Sequence, residues 1–497
     1  MPVPIGSGRS CGAAIARLAR ANSMIVSYEA AVKPMRRAQA EQRMGKAQRF
    51  AVADFRFSPP VGGFDFRILK SAFCVGAALL LLSLLNAPAL AQEPTATSNK
   101  EALLAQVDEV MEEMSKLTGL PIRGPLKKKI LSRPEIRKFL EETLEAEYPP
   151  EQLHKQEATL KAFGLVSRDF ELREFLLTFY TEQAAGVYDP RSKTMIIADW
   201  TSAEMQRLVL PHEITHALQD QNFDLLLFTR AERDNDDATA ARQAVMEGHA
   251  TAAMMQQMTG GAPLAALPSL QPMLEGVLQQ QFAEFPAFNQ APYFFRLEAL
   301  FPYIQGMGFV QRALQVNGGW ENLDSLFRKP PTQTREIYEP KVYFDGPPPE
   351  RVTLARPSVL EGDKELRLLD ENTMGQLGYT ALLGQFISEV EAKTLAPNWR
   401  ADRYIVYENE TEGSFALVAR SRWSGPEAAL SFFRHGLTIL AKKYPELSPD
   451  SRSTADLFIG TIGGGKVILL RKGNECRWAE GVPDKNTDAM LKWLESM

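Results

Sequence analysis

Two of the chain's five histidines stand four residues apart in the run His212-Glu213-Ile214-Thr215-His216. On a helix, residues four apart lie one above the other, so both imidazoles project from one face toward one point. Imidazoles are good zinc ligands, and Glu213, one step round the helix, can reach a water held beside such an ion. Such a residue set is suited to metal-assisted hydrolysis, in which the ion polarises a carbonyl and the carboxylate takes a proton from water. Leu208, Val209, Leu210, Ile214, Ala217 and Leu218 surround the run in an apolar pattern that predicts a helix.

A catalytic zinc usually has three protein ligands and one open position. Asp220 follows His216 on the same face, but on a straight helix it lies about 12 Å along the axis from His212. It therefore reads as a partner of a ligand or a surface cap, and the third ligand should come from another helix. Glu247 fits best, because Ala244, Val245, Ala250, Ala252 and Ala253 around it are small enough for two helices to approach closely. His249 competes for the role, but it lies about 200° further round that helix, so the two are unsuited to share one ion. The developing oxyanion needs a further donor, worth roughly 3–4 kcal/mol where such donors have been removed. Tyr188, His249, Arg335, Tyr338 and Tyr343 are candidates, and the sequence leaves the choice among them open.

Other chemistries have weaker support. Cys476 has no histidine near it in sequence, and Gly-x-Ser-x-Gly is absent. Gly460 to Lys466 imitates a phosphate-binding loop, but Val467 replaces the required Ser or Thr and a strand pattern follows, which predicts a hairpin turn. Asn409-Glu410-Thr411 matches a glycosylation acceptor at an expected hairpin tip, where turn chemistry suffices. His154 and His435 are expected to be solvated.

The elements that would position the site follow from periodicity. Helices are expected over 101–117, 133–147, 150–163 and 172–183. Short strands are expected over 185–190 and 193–198. Thr201 to Glu204 is a capping box opening the motif helix, which Pro211 either kinks or restarts. The acidic run Asp234–Asp237 caps a long helix reaching about Met258. Further helices are expected near 272–285 and 301–316. Prolines at 330, 331, 340 and 347–349 mark a boundary. Beyond it, alternation predicts strands at 403–408, 414–423, 457–461 and 467–471, with helices over 426–444 and 488–497.

Of 56 Lys/Arg and 61 Asp/Glu, 12 and 4 fall in residues 1–70, leaving 44 basic against 57 acidic residues in the rest. So acidic a remainder argues against nucleic acid as a partner. Arg67 and Lys70 precede an apolar run from Ser71 to Leu85, and Ala89-Leu90-Ala91 follows, the pattern of a secretory signal peptide. The run is short for a membrane span, which needs about 20 apolar residues. An uncleaved anchor is the alternative, and only then would the membrane be a partner. Residues 1–66 are a basic extension, read as an over-extended start in preference to a cytoplasmic segment. Cleavage after Ala91 would leave Cys476 as the sole cysteine and send the chain to the bacterial periplasm or the medium.

The HExxH run with a downstream helical Glu is similar to the gluzincin group of zinc metallopeptidases, which includes thermolysin. Ala185–Pro190, Leu210–Leu225, Met246–Ala250 and Pro302–Tyr343 resemble predicted bacterial secreted peptidases with a minimal gluzincin core. The resemblance implies Zn2+ bound by His212, His216 and Glu247, with Glu213 as general base. It implies an edge strand near Lys193–Ala198 that aligns an extended peptide. The expected substrate is a peptide or protein, cut by an endopeptidase in preference to an exopeptidase. Where those relatives tend to have Asp after Glu-Gly this chain has His249, and where they tend to have His before a proline near 340 it has Glu339.

The expected class is α+β. A helical section (92–165) precedes a mostly helical, zincin-like catalytic domain with a small edge sheet (166–350). A linker and helix (351–395) then lead to a small α+β domain (396–497). The rival reading is a catalytically impaired zincin-like protein that holds a peptide or partner. Oligomeric state is not set by the sequence.

Overall fold

The computed structural model describes residues 96–183, 186–200, 203–230 and 235–497. The expected basic extension (1–66) and signal peptide (67–91) lie outside these residues, as do Thr201 and Ser202 of the expected capping box. No described helix is long and apolar enough to cross a membrane.

Helix α1 (Ala96–Thr118) buries Val107, Val110, Met111 and Met114, the i, i+3, i+4, i+7 stripe of an amphipathic helix. Gly119, left-handed at φ 74°, follows its end. The stripe packs on Leu210, Ile214, Ala217 and Leu218 of α2 (Ala203–Phe223), the helix that carries the histidine pair. A single helix runs through Pro211.

Beside α2 lies a three-stranded sheet of β1 (Lys127–Leu131), β2 (Gly186–Asp189) and β3 (Thr194–Ala198), in the order β1-β3-β2. β1 pairs with β3 in parallel, and β2 pairs with it antiparallel. The expected edge strand at Lys193–Ala198 is therefore corrected: both sides of β3 are already hydrogen-bonded, so no extended peptide can be added there. β1 escaped the sequence reading because Lys127, Lys128 and Lys129 look like a solvated run. Lysines are what outer strands carry to discourage further pairing.

Two long helices build the centre. In α3 (Asp236–Met258), side chains are buried on nearly every side between Asp237 and Met255. Helix α4 (Tyr293–Asn317) begins earlier than its pattern suggested, because Pro302 is accommodated inside it rather than near its start. The two cross backbone to backbone. A Cβ on Gly306 would lie 2.2 Å from the Ala244 carbonyl oxygen, and one on Gly248 would lie 2.2 Å from the Gly306 carbonyl carbon. Only glycine permits this approach, and it falls beside Glu247.

The C-terminal part of the chain includes β4 (Arg367–Asn372), α5 (Gly375–Phe386), β5 (Trp399–Asn409), β6 (Ser414–Trp423) and α6 (Pro426–Lys443). β7 (Ser448–Pro449), β8 (Leu457–Ile462), β9 (Gly465–Lys472), β10 (Glu475–Val482) and α7 (Thr487–Ser496) complete it. The strands form one antiparallel sheet in the order β4-β5-β6-β10-β9-β8-β7. Alternation along β5, β6 and β9 sends Tyr404, Leu417 and Leu469 to one face, against Phe432 and Phe433 of α6. It sends Ile405, Val418 and Ile468 to the other, against Met490 and Leu494 of α7. The class is α+β, as expected: a helical core followed by an antiparallel sheet.

Two strands went unread. β4 lies in the stretch expected to be linker and helix. β10, paired with both β6 and β9, was hidden by its charges. Its Glu475 gathers Arg420 and Arg422 from β6 as well as Arg477 from β10, so the charges are satisfied across strands. The hairpins expected at 410–413 and in the glycine run are present, with Asn409 opposite Ser414 and Ile462 opposite Gly465. His154 and His435 pair with Glu408 (2.8 Å) and Glu391 (3.4 Å) instead of being merely solvated.

Candidate metal centre

Helix geometry does for His212 and His216 what the spacing predicts. Their ring centroids are 4.7 Å apart and their Nε2 atoms 3.1 Å apart. Glu247 arrives from α3 and places Oε2 at 3.2 Å from His212 Nε2 and 3.3 Å from His216 Nε2. Bonds of about 2.0–2.1 Å to a tetrahedral ion would space its ligand atoms about 3.3 Å apart. The observed triangle fits three vertices of such an ion, and all three side chains are buried. This group can hold a metal ion.

The charges are arranged for a cation. Burial holds His212 below the usual imidazole range despite its hydrogen bond to Glu247. Burial also opposes charge on His216, but the Glu247 carboxylate, helped by Glu213 and the hydrogen bond to Gln219, raises that pKa. Burial would raise Glu247, yet the charge of His216 and the hydrogen bonds with both rings bring it down to about 2. A divalent ion at the triangle would replace the His216 proton as the partner of this carboxylate.

Glu213 is fully buried beside the triangle. Its Oε2 accepts the backbone N–H of Tyr188 at 2.8 Å, which ties β2 to α2, whereas Oε1 has no protein partner. Burial pushes its carboxyl up to about 8. Tyr188 therefore contributes its backbone, because its phenol donates to Asp220 Oδ2 at 2.6 Å. Asp220 also receives Lys193 Nζ at 2.6 Å and the Leu225 N–H at 3.0 Å. It links the β2–β3 hairpin to α2 and caps the next short helix, and it is no metal ligand.

His249 is not brought to the triangle. Its Nδ1 lies 3.1 Å from Gln219 Nε2, and its ring stands edge-on to Trp320 and Phe327. Burial and the nearby His216 push its pKa down to about 3, so it is neutral. Tyr338 bonds Thr380 and packs on Phe301, while Tyr343 donates to the Lys329 carbonyl at 2.6 Å. Arg335 lies 4.0 Å from Glu339. The hydroxyls of all three tyrosines considered as oxyanion donors are thus engaged elsewhere.

Two residues at the site were missed from sequence. Gln219 Oε1 lies 2.8 Å from His216 Nδ1, and its Nε2 donates to the Met246 carbonyl at 2.9 Å. The carbonyl requires a donor, which fixes the amide orientation. His216 must then carry its proton on Nδ1 and turn the Nε2 lone pair toward the triangle. The same amide donates to His249 Nδ1. Gln219 follows His216 by three, a spacing that returns to one helix face, and this was the available signal. Tyr303 of α4, with its ring 6.0 Å from that of His212, had none.

The start of α3 is clamped. Asn235 accepts from the Ala238 N–H at 3.1 Å, and Asn372, the last residue of β4, accepts from the Asp236 N–H at 2.9 Å. Asp237 accepts from the Thr334 N–H at 2.9 Å and hydroxyl at 2.5 Å, and burial raises its pKa to about 7. Gly375, at φ 71°, presses against it, since a Cβ there would lie 1.8 Å from Asp237 Oδ1. Asp402 accepts the Met374 and Gly375 N–H groups, and burial raises it to about 6. The helix that supplies Glu247 is therefore anchored by the C-terminal sheet and its turns.

A sequence-family profile described as a domain of unknown function (DUF8575) matches residues 365–490, from β4 into α7, and leaves the metal triangle outside. No curated protein and no solved structure matches the chain.

Proposed function

We propose that the chain is an exported zinc-dependent peptidase of zincin-like type. The observation that carries this reading is the triangle of His212, His216 and Glu247 with Glu213 beside it. A purely structural site has no use for a buried carboxylate whose Oε1 lacks a protein partner. Two imidazoles and one carboxylate are also a donor set of catalytic zinc. When bound, zinc lowers the pKa of water and polarises a scissile carbonyl. Glu213 takes the water proton on Oε1 and returns it to the leaving amine, while the Tyr188 N–H holds Oε2 and so fixes the direction of transfer. Gln219 keeps His216 in the tautomer that presents Nε2.

His212, Glu213, His216 and Glu247 are at most 1 % exposed. Hydrolysis of a polypeptide therefore requires the cover over them to open. The apolar run before Ala89-Leu90-Ala91 supports export, and N-terminal sequencing of the mature protein locates any cleavage.

The test is metal analysis and peptide-library hydrolysis of wild type, Glu247→Ala and Glu213→Gln. About one zinc per chain is expected in wild type and in Glu213→Gln, and little in Glu247→Ala. Hydrolysis should fall by about 10²–10⁴ in Glu213→Gln. No zinc in any of the three, or full hydrolysis by Glu213→Gln, would overturn the proposal.

A further inference from the structure

Helix α4 presents its Gly306 side to α3. On its opposite face lies a cavity of about 680 Å³, walled by Phe288, Leu297, Leu300, Phe301, Ile304 and Tyr338. A cavity of this size is in the range of small-molecule sites, and its wall mixes these apolar side chains with polar ones. Its far wall comes from the C-terminal part of the chain, including Gln376 and Thr380 of α5. None of the metal ligands lines it.

Two polar groups in its wall lack protein partners. Arg296 stacks over the Tyr293 ring at 5.8 Å, and its guanidinium makes no hydrogen bond or ion pair with any described residue. Its Nε is buried. Gln376 is 2 % exposed, and its Oε1 likewise has no partner. Burying a guanidinium N–H without an acceptor is costly, and the planar fork is shaped to meet a carboxylate through two parallel bonds. At the rim, Glu275 and Lys393 lie 3.8 Å apart and offset one another. Glu389 remains there as a negative group that would repel a doubly charged ligand.

We propose that this cavity is a second binding site, separate from the metal centre, for a small monocarboxylate with an aromatic or branched apolar body. The carboxylate pairs with Arg296, Gln376 bonds a polar group of the ligand, and the body fills the space between α4 and α5. An occupant would touch both the helix that crosses beside Glu247 and the sheet-bearing part of the chain.

The test is calorimetric titration of the full chain with phenylacetate, 4-methylpentanoate and the neutral phenylacetamide, with and without a metal chelator. Saturable one-to-one binding of both carboxylates is expected, with the amide weaker by at least about tenfold. Binding should survive the chelator, which separates this site from carboxylates captured by a metal. Arg296→Gln should remove the preference for carboxylate over amide, and Leu300→Trp, which fills the cavity, should weaken every probe. Two variants guard against one failing to fold, and a thermal melt of each checks that. No saturable binding up to ~10 mM, binding abolished by the chelator, or binding indifferent to both substitutions would overturn the proposal.

Discussion

Replacing Gly306 by alanine tests whether the crossing of α3 and α4 is what sets Glu247 in place. The new Cβ would stand 2.2 Å from the Ala244 carbonyl oxygen, where real Cβ atoms keep at least 3.0 Å. The helices must therefore part by no less than 0.8 Å, and the obstacle is backbone rather than a side chain that can swing away. Overpacking of this kind costs about 1–3 kcal/mol of stability. Ala244 and Glu247 lie within one turn of a stiff helix, so the displacement carries to the ligand. Metal sites tolerate only about 0.2 Å in their bond lengths. Metal affinity, measured by competition with a chelator, should fall by at least about 10–100-fold, the loss typical when the support of a ligand is disturbed. Gly276 is the control. It is exposed, lies in the helix Gln271–Phe282, and a Cβ there meets nothing within 4 Å. Gly276→Ala should leave metal affinity unchanged and add about 0.5–1 kcal/mol of stability. A Gly306→Ala protein that melts lower yet binds metal like wild type would refute the reasoning, because the crossing would then serve stability alone.

Other expectations follow from the same geometry. Gln219→Ala frees His216 to rotate and to adopt the other tautomer, so metal affinity measured by chelator competition should fall by about 10–100-fold with the fold retained by circular dichroism. The buried carboxyls Asp237 and Asp402 have folded pKa values raised to about 7 and about 6, above their ordinary 3.8. Between pH 4 and pH 7 the folded state holds protons that the unfolded state has released, so their contribution to stability is largest near pH 4 and is lost as pH rises. Denaturant unfolding of chelator-treated protein across that range should show the decline, and Asp237→Asn should flatten it. A decline of the same slope in Asp237→Asn would remove that residue from the account.

Local chemistry was legible along the chain. The four-residue spacing of His212 and His216 places two ligands on one helix face whatever surrounds the helix, because the period is a property of the backbone. Helices α1, α6 and α7 announced themselves by their apolar stripes, and the two tight hairpins of the C-terminal sheet by their turn residues. The small neighbours of Glu247 point to it in the sequence, and the structure gives that feature a more specific use: Ala244 and Gly248 receive α4 at Gly306, and that contact sets the position of the helix that carries Glu247.

What tertiary structure alone decided is every relation between distant segments. β3 became central rather than an edge because a lysine-rich strand 67 residues earlier (Lys127 opposite Thr194) pairs with it, and no local pattern encodes which strands meet. β10 is buried despite three charged residues, because arginines of β6 answer its Glu475 across the ladder. Tyr188, Tyr338 and Tyr343 all had suitable chemistry, but packing engaged each hydroxyl with another group. Gln219 had no distinction in sequence beyond its spacing, and only the arrival of Met246 and His249 on the facing helix shows what its amide does. The sequence determined which residues can bind a metal and move a proton. The fold decided which of them meet, since side-chain position over long range is set by how the elements pack.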